Sequence, residues 1–481
     1  MKKTFSIFAL LGAILAVLFI SAYYWTGLQA RKQYEALLAK TSQPYVSVID
    51  KSYDRGIFSS TASTTVIIKN TDKARPEKEL LRLTLVSSIL HGPFASVKTP
   101  HISRSLQPVQ AIITTRLAIR KDSGETLDKL LEMFPELGES ESVTILKFDG
   151  SGESFLNIPP FHKKLSEEKA GEWLMGWDGF TAESRFQISM QEVSGSFSAP
   201  RFDMENTDGK LSIKNLKGDF TSRVGVKDLN VGAMNLTCDN VEFIAKEDDT
   251  HLRLESSAIQ GQSGMAGEAV NFTFLTRFER FSTDREAFGP FVFEIEFRRL
   301  DAATLAKFQQ DLKNLSNMVS TTPEEEMKQL LESCYTKLLT ELIAKSPEME
   351  IKQLKMRTSK GDLFSKLRIS LAQTGVSILD NPLLALNGLS ADLDFSVSES
   401  LFVSLAESGY GSSSSKDSEQ DRAIAQKLAA QKARNTLSTL LAEKILVSDK
   451  GSLKANASFA SGKLVINGRK LGIADLFKPG S

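Results

Sequence analysis

The sequence predicts a mainly β fold with some helix, of the α+β class. Three observations predict it: an N-terminal apolar run, a long region of alternating apolar and polar residues, and later apolar residues three and four apart. The expected order is an N-terminal transmembrane helix, a large antiparallel β body with a helical hairpin inserted in it, and a C-terminal helix with a β-hairpin. The predicted segments are an anchor with a short cytoplasmic tail at 1–25, a periplasmic β-rich domain at 26–300, the helical hairpin at 301–345, a β segment at 346–408, a flexible loop at 409–421, and the C-terminal helix and β-hairpin at 422–481.

The predicted anchor covers residues 5–25, which are almost entirely apolar. A helix of about 21 residues is roughly 30 Å long, which matches the hydrocarbon core of a bilayer. Lys2 and Lys3 favour a cytoplasmic N-terminus, and the aromatic residues at the other end suit the opposite interface. We therefore expect a single-pass protein of a bacterial inner membrane, with its main body in the periplasm. The positions that represent the anchor are Phe5, Leu10, Leu15, Ile20, Tyr23, Tyr24 and Trp25.

A cleaved signal peptide is the alternative for this segment. Such a peptide has an apolar core of about 7 to 15 residues and ends in small residues of the A-x-A type. Here the small residues Ser21 and Ala22 follow the bulky Ile20. We therefore favour a retained anchor, followed by a short helix over residues 28–40.

The β body is predicted from apolar residues that alternate with polar ones. The clearest alternating set is Phe291, Phe293, Ile295 and Phe297, with Glu294, Glu296 and Arg298 between its members. A period of two describes strands with one buried and one wet face, and such sheets are typically antiparallel. Pairs such as Asp149-Gly150 supply hairpin turns.

Two helices are predicted within residues 301–345. The second begins at Thr322-Pro323, where a capping hydroxyl and a proline in the first turn favour a helix start. Their apolar faces consist of Leu305, Phe308, Leu312 and Leu315 in the first helix and Met327, Leu331, Cys334, Leu338 and Leu342 in the second. We expect a hairpin that packs on the sheet.

Further strands are expected from residue 351 onward. The Gly- and Ser-rich residues 409–421 predict a flexible loop. A helix is expected from residue 422 to about residue 445. The last predicted element is a hairpin of residues 454–459 and 463–466, joined across Ser461-Gly462.

Composition and charge exclude some classes of partner. Lys plus Arg and Asp plus Glu number 59 each, so no long-range field gathers nucleic acid, and we expect no nucleic-acid partner. The two cysteines, Cys238 and Cys334, are too few for a disulfide framework. A single disulfide between them and two separate thiols both stay open, and the position of Cys334 on an apolar helix face favours the second alternative.

The residue patterns predict no catalytic, cofactor or metal site. The four histidines lack paired zinc-ligand spacing, and neither cysteine belongs to a CxxC pair. The nucleophile elbow, the phosphate loop and the dinucleotide fingerprint do not occur. We therefore expect that the protein is not an enzyme.

Two short motifs have competing explanations. The His-Gly-Pro sequence at 91–93 follows a predicted strand, and its glycine and proline favour a structural turn over a catalytic histidine. The Tyr-Asp-Arg-Gly sequence at 53–56 favours a bend between strands, with Asp54 paired to Arg55, over a site for an anionic headgroup.

These motifs belong to a series that follows the whole chain. Its members are Tyr53-Asp54-Arg55-Gly56-Ile57-Phe58-Ser59-Ser60, His91-Gly92-Pro93-Phe94, Ser346-Pro347-Glu348-Met349-Glu350-Ile351 before Thr358-Ser359-Lys360-Gly361, and Gly462-Lys463-Leu464-Val465-Ile466-Asn467-Gly468. Together they resemble the YdgA-like family, a bacterial family of unknown function anchored in the inner membrane. The resemblance implies a single-pass protein with a large periplasmic part and brings no activity or cofactor. The positions in these motifs for which a structural role is expected are Tyr53, Asp54, Arg55, Gly56, His91, Gly92, Pro93, Asn467 and Gly468.

Phenylalanine is abundant, with 29 residues against 7 tyrosines and 3 tryptophans. A sheet with an apolar face either closes into an ordinary core, which is the default, or stays open as a groove for acyl chains. The first functional hypothesis is a non-enzymatic envelope protein that binds a partner protein or scaffolds an assembly, with a homo-oligomer left open. The alternative is lipid or lipoprotein handling in a groove lined by Phe291, Phe293 and Phe297.

Overall fold

The computed structural model describes most of the chain and divides it into two compact units. The described residues are 2–41, 46–69, 79–95, 108–118, 131–167, 171–247, 250–284, 286–318, 322–372, 388–410 and 419–472. Unit 1 is Met1–Val224 with Lys313–Leu330, and unit 2 is Gly225–Leu312 with Leu331–Ser481. Each unit is a group of residues that contact one another, whereas each predicted segment is a run of one kind of secondary structure. The predicted domain boundaries therefore stay predictions. The mainly β, antiparallel class is confirmed.

Helix α1 runs without a break over Lys2–Thr41. It joins the predicted anchor and the predicted short helix at 28–40 into one element. The first half of this helix includes Phe5, Leu10 and Leu15, whose side chains lie outside the described part of the chain. Within the part of the chain that the structure describes, none of the helices combines the length and the apolar character that a membrane span needs.

Among the described residues, unit 1 contributes eleven antiparallel strands to the sheet. They are β1 Val46–Arg55, β2 Ser59–Lys69, β3 Glu79–His91, β4 Ala111–Ala118, β5 Glu141–Leu146, β6 Ser151–Ile158, β7 Phe161–Glu167, β8 Gly171–Trp177, β9 Phe180–Gln187, β10 Glu192–Glu205 and β11 Gly209–Val224. Strands β1 to β6 pair in chain order, then β6 pairs with β9, β9 with β10, and β10 with β11. The β7–β8 hairpin pairs with the second half of β10, where Trp177 lies opposite Phe202.

Three phenylalanine rings of unit 1 lie against glycines of neighbouring strands. A Cβ atom added at Gly218 would be 2.3 Å from the ring of Phe197, and one at Gly152 would be 2.6 Å from the ring of Phe186. Gly195 lies under Phe220 in the same way. The rings thus replace the missing side chain of each glycine, a pairing that stabilises twisted sheets.

In the part of unit 2 that the structure describes, twelve antiparallel strands are present. They are β12 Asn230–Ala245, β13 Thr250–Ala266, β14 Ala269–Phe278, β15 Arg280–Ser282, β16 Ala287–Asp301, β17 Glu348–Thr358, β18 Gly361–Leu371, β19 Leu389–Ser398, β20 Val447–Asp449, β21 Ser452–Ala460, β22 Lys463–Ile466 and β23 Arg469–Gly472. The main order is β12-β13-β14-β16-β17-β18-β19-β21-β22-β23. The short β15 pairs with β13 and β16, and β20 pairs with β21.

The predicted helical hairpin is present as α2, Ala302–Met318, and α3, Glu324–Ile343. The Lys307 ammonium lies 2.9 Å from the Glu341 carboxylate, and the rings of Phe308 and Tyr335 are 5.3 Å apart. The first turn of α2 packs on the sheet of unit 2, where Ala302 is buried in one cluster with Leu229, Val231 and Val270.

The C-terminal part of the chain departs from the expectation at residues 399–421. The structure has helix α4, Glu399–Tyr410, where the sequence predicts strand up to residue 408, and helix α5, Glu419–Ala442, which starts and ends three residues earlier than expected. Residues 409–410 and 419–421 of the predicted flexible loop are therefore helical, and residues 411–418 lie outside the described residues. The physical reason is burial: Leu401 of α4 packs with Leu437 of α5 over Val397 and Leu453 of the sheet.

Candidate functional site

Two of the motifs singled out in the sequence meet on one side of α1. Tyr53 and Arg55 end β1, and Gly56 forms the turn into β2; His91 ends β3, and Gly92 and Pro93 form the turn that follows. The His91 amide donates to the Phe58 carbonyl at 2.9 Å, which holds the two turns side by side. We call these two turns and the segment of α1 that they contact the helix junction.

The glycines of both turns are required by space. A Cβ atom at Gly92 would lie 1.6 Å from the Val109 carbonyl oxygen, and one at Gly56 would lie 2.6 Å from the Ser59 carbonyl oxygen. The amide of Gly92 donates to the Gln110 carbonyl at 2.7 Å. Each turn therefore brings backbone against backbone at a distance that only glycine permits.

His91 is buried at the centre of the junction, with 1% of its surface exposed. Its Nδ1 lies 2.9 Å from the Ile57 carbonyl oxygen, which can only accept, so Nδ1 carries the proton. Its Nε2 lies 2.8 Å from Ser60 Oγ and accepts from that hydroxyl. Both ring nitrogens of a neutral imidazole are thus satisfied by the β1–β2 turn and the start of β2.

The pair Ser60 and His91 has the spacing of a nucleophile and a base but not their setting. Both side chains are buried, with Ser60 only 3% exposed, so a substrate has no access to the hydroxyl. A backbone carbonyl occupies the position that a carboxylate takes in a catalytic triad. The arrangement holds the two turns together.

Helix α1 contacts the junction at Thr26 and Gly27. A Cβ atom at Gly27 would be 2.6 Å from Cε1 and Nδ1 of His91, so the ring lies directly against the helix backbone. The buried Thr26 hydroxyl donates to the Gly92 carbonyl and also lies 2.9 Å from the Tyr23 carbonyl. Small residues at these two positions allow a close approach, and the hydroxyl fixes the helix along its axis.

The next turns of α1 pack on the sheet. Ala30 is fully buried, and the Tyr34 hydroxyl is 2.9 Å from Thr64 Oγ1 of β2. The two side chains form one cluster with strands β2 to β5, whose buried members are Ala62, Ile89, Ala111, Ile113 and Leu146. Gly27, Ala30 and Tyr34 follow helical spacing, so a single stripe of α1 makes these contacts.

Aromatic and cationic side chains surround the junction. The Arg55 guanidinium lies 4.1 Å from the centre of the Tyr24 ring, and the Tyr53 ring is 5.9 Å from the Tyr34 ring. Burial raises the pKa of the Tyr53 phenol. The side chain of Asp54 points to solvent, and Arg55 is held by Tyr24. The predicted bend is present, with a helix residue as the partner of its arginine.

Burial also lowers the pKa of His91, and the positive charge of Arg55 adds to this shift, while the bond to the Ile57 carbonyl opposes it. Below pH 6.5, the ordinary pKa of histidine, His91 is protonated in the unfolded chain while the buried ring of the folded chain stays neutral. The free energy of unfolding therefore falls as the pH drops through that value.

We expect the urea midpoint of unit 1 to fall between pH 7.5 and 5.5, and we expect His91→Gln to reduce this fall. Tryptophan fluorescence measures it.

The control for this pH series is His162→Gln, because the His162 side chain is 69% exposed. This variant should keep the wild-type fall in midpoint. An undiminished fall in His91→Gln would contradict the assignment of a neutral, buried imidazole to the junction.

The motif at 346–351 places a carboxylate among arginines of neighbouring strands. Glu348 is 7% exposed and lies 3.2 Å from Arg298 and 2.6 Å from Arg368, with Arg299 at 3.8 Å. Arg298 also pairs with Glu350. Sequence reasoning missed this cluster because it depends on the register of β16, β17 and β18, which alternation alone does not supply.

The Asn467-Gly468 motif is a tight turn between β22 and β23, with φ of 47° and 82°. Asn467 accepts the Asn456 amide at 2.8 Å, and its side-chain amide donates to the carbonyls of Lys444 and Ile445 at 3.0 and 2.9 Å. This turn therefore ties the chain that leaves α5 to the last hairpin, which is a structural role.

Neither cysteine forms a disulfide in the described part of the chain. Cys238 is buried in β12, where its thiol lies 3.5 Å from the Asn240 carbonyl oxygen, and Cys334 is half-buried on α3. Of the two alternatives, the structure has separate thiols. Among the described residues, no group of histidine, cysteine and carboxylate side chains is arranged to hold a metal ion.

The sheet of unit 2 carries a second candidate site, an apolar face that crosses most of its strands. Residues opposite one another in register share a face. The row through Phe297 consists of Ser263, Phe272, Phe297, Met349, Ile369, Ala391, Phe459, Leu464 and Leu471. The row through Ile295 consists of Met234, Gly261, Phe274, Ile295, Ile351, Leu367, Leu393, Ala457 and Ile466.

These two rows are half-buried, apart from the exposed Met234. Two further rows, through Phe293 and Phe291, reach Val397, Leu453 and Ala455, which are fully buried under α4 and α5. Helices α4 and α5 thus cover one margin of the apolar face. The apolar side chains of the two rows through Phe297 and Ile295 stay partly exposed. Phe291, Phe293 and Phe297 lie on this face, and their role as the lining of a lipid groove stays a prediction.

The opposite face of the same sheet is charged. Glu296 of β16 lies opposite Glu350, which lies opposite Arg368 and then Asp392. The Lys352 ammonium is 3.0 Å from Glu296, and this bond lowers the pKa of the carboxyl after the larger effect of Arg298. The sheet is therefore strongly two-sided, with ion pairs on one side and carbon on the other.

A family model described as a bacterial protein of unknown function (DUF945) matches residues 1–474 of the chain. The narrower resemblance to the YdgA-like family does not conflict with this match and stays a prediction. Comparison with curated proteins gives no match, and comparison with solved structures gives none either.

Proposed function

Since the chain belongs to the DUF945 family of bacterial proteins of unknown function, we propose its role from the geometry of unit 2. The protein is a single-pass, non-enzymatic protein of the bacterial inner membrane, whose periplasmic body binds the acyl chains of lipids or lipoproteins. The observation that carries this proposal is the apolar face of the sheet. The apolar run at residues 5–25 supports the membrane location.

The size of the apolar face suits an extended hydrocarbon chain. Ten neighbouring strands about 4.8 Å apart span roughly 45 Å, and an exposed apolar patch larger than a few hundred Å² usually marks a binding site. Phenylalanine and methionine are frequent in the rows, and Met349 belongs to one of them. Flexible and aromatic side chains of this kind adapt to ligands of varying shape.

The hydrogen bonding of the sheet favours hydrocarbon over a protein occupant. In the main strand order, each strand from β13 to β22 pairs with a neighbour on both sides, so most backbone donors and acceptors in the middle of the face are already bonded. Protein interfaces usually include about one hydrogen bond per 100–200 Å² and a polar rim. An acyl chain needs only apolar contact.

A photocrosslinking experiment tests the proposal. A benzophenone amino acid placed at Phe297 or Phe293 in the full-length chain, expressed in bacteria whose lipids carry radioactive phosphate, should acquire radioactivity on irradiation. The control position is Val292, which neighbours Phe293 on β16 and lies on the opposite face. Label at Phe297 and Phe293 but not at Val292 is the expected result.

Two outcomes would contradict lipid binding. Equal labelling at Val292 would mean that the label reports general contact with membrane lipid. Crosslinks from Phe297 to a protein band that carries no acyl chain, with no labelled phospholipid, would support the other hypothesis, in which this face binds an envelope protein or a second copy of the chain as a scaffold.

A further inference from the structure

Large apolar side chains are exposed on unit 1 at the helix junction, where its two turns contact α1. Phe58, in the turn between β1 and β2, is 51% exposed, and Phe94, in the turn after β3, is 58% exposed. Both contact the helix: the rings of Phe58 and Tyr23 are 5.1 Å apart, and those of Phe94 and Phe19 are 6.5 Å apart. We call these four rings the aromatic collar.

We propose that the aromatic collar lies in the interfacial layer of the membrane, so that a lipid surface, and not water, covers its exposed side. This inference rests on the proposed membrane anchor and deepens it. The helix alone is one point of attachment, whereas the collar adds two turns of the β body as further points of contact with the same lipid surface.

The position of the collar along α1 supports a lipid surface. Phe19 and Tyr23 lie at the end of the apolar run 5–25, where a spanning helix leaves the hydrocarbon layer. The two turns reach the helix one helical turn apart, about 6 Å along its axis, since Phe94 contacts Phe19 and Phe58 contacts Tyr23. Tyr24 and Trp25 are about half exposed beside them, and such amphipathic rings are favoured at interfaces.

The charges next to the collar also fit a lipid surface. The Arg55 guanidinium lies over the Tyr24 ring, next to the collar residue Tyr23 on α1. Lys32 is exposed two turns further along α1. Arginine pairs with phosphate oxygens through two parallel hydrogen bonds, and exposed aromatic rings next to cations are a common feature of surfaces that bind anionic membranes.

The junction explains how the turns are held at this level. His91 ties the Ile57 carbonyl to β3, and Thr26 ties the turn after β3 to the helix. Phe58 and Phe94 extend directly from the two turns that these bonds fix. The two turns of the collar are therefore already in place in the folded chain, and preorganisation of this kind reduces the entropy lost on binding.

Depth-dependent fluorescence quenching tests the proposal. In full-length chain carrying Cys238→Ala and Cys334→Ala, a single cysteine replaces Phe58 or Phe94 and carries the dye NBD. The protein is reconstituted in vesicles of phosphatidylethanolamine and phosphatidylglycerol with nitroxide lipids. We expect both dyes to shift to the blue and to lose intensity with a nitroxide near the headgroup, more than with one deep in the acyl chain.

The control position is Leu174 of β8, which is 52% exposed and belongs to the same unit. Its dye should be quenched by iodide from water and not by nitroxide lipids. If the dyes at Phe58 and Phe94 behaved like the one at Leu174, the collar would face water and the proposal would be wrong.

A probe at Leu10 separates this failure from failure of the anchor. Quenching of the Leu10 dye by the deep nitroxide, together with iodide-accessible dyes at Phe58 and Phe94, overturns the collar and leaves the anchor standing. A Leu10 dye that nitroxide lipids do not reach overturns both. Because Phe58 and Phe94 are exposed, the labelled variants should keep the thermal unfolding midpoint of the unlabelled protein.

Discussion

Gly27→Val should destabilise unit 1 by about 3 kcal/mol, the upper end of the range for overpacked sites. The first added carbon already meets the His91 ring at 2.6 Å, and the ring cannot withdraw because both of its nitrogens are bonded. The helix must therefore move away from the sheet and lose the packing of Ala30 and Tyr34. The measurement is urea unfolding of the full chain in mild detergent, followed by tryptophan fluorescence.

Tryptophan emission reports this unit specifically. The three tryptophans of the chain are Trp25, Trp173 and Trp177, all in unit 1. A double variant with His91→Ala should recover part of the stability lost in Gly27→Val, because the added side chain then enters the space of the missing ring. A non-additive double-mutant cycle of this kind is expected for residues in contact.

An alanine pair provides the matched control. In a helix interior alanine is favoured over glycine by about 1 kcal/mol, so Gly27→Ala would stabilise an unobstructed helix. Here we expect a net loss, since a Cβ at 2.6 Å from the ring outweighs that preference. Gly261→Ala, where the added Cβ meets nothing within 4 Å, should change stability by less than about 0.5 kcal/mol. Gly261 belongs to unit 2, so circular dichroism in urea follows this control. A Gly27→Ala protein at least as stable as wild type would contradict the close contact.

Glu348→Ala should destabilise unit 2 by about 2 to 3 kcal/mol. The carboxylate is buried and accepts from Arg298 and Arg368, so its loss takes from Arg368 the carboxylate it bonds and leaves Arg298 with Glu296 and Glu350 alone. The arginines are partly exposed and regain some hydration, which keeps the loss below the largest values for buried pairs. Circular dichroism in urea measures the change, and the tryptophan transition of unit 1 should not shift.

The control for this variant is Asp362→Asn, which breaks a bond of similar length at the surface. Arg357 and Asp362 are 2.9 Å apart, but about two thirds of each side chain is exposed. Surface pairs of this kind contribute about 0 to 1 kcal/mol, so this variant should stay close to wild type. If both variants lost the same small amount, Glu348 would not be the buried centre of a charge cluster.

The strands could be predicted from the sequence because one-sided burial is visible as alternation. Phe291 to Phe297 alternate along β16 as expected, and they lie on one face together with apolar residues of the neighbouring strands. The helix α4 could not be predicted in the same way. The alternation of β19 ends at Val397, and only contact with residues more than 30 positions away, such as Leu437, stabilises the following segment as a helix.

The helix junction could be predicted only in part. The turns at Gly56 and Gly92 follow from local sequence, but their partner on α1 is 66 positions from Gly92 along the chain. One signal was present: a glycine at position 27 within a long helical segment costs helix stability and usually has a packing reason. The sequence contains no comparable signal for Glu348, because its burial depends on which arginines the strand register places beside it.

Helix α1 is one continuous helix from Lys2 to Thr41. Its second half packs on strands β2 to β5. Forty helical residues are about 60 Å long, so a tilt of about 10° at one end displaces the other end by about 10 Å. Because Thr26 and Tyr34 bind this helix to the sheet, that motion becomes a rotation of the strands and is not absorbed by a joint. The inclination of the first residues therefore sets the direction in which the sheet of unit 1 faces.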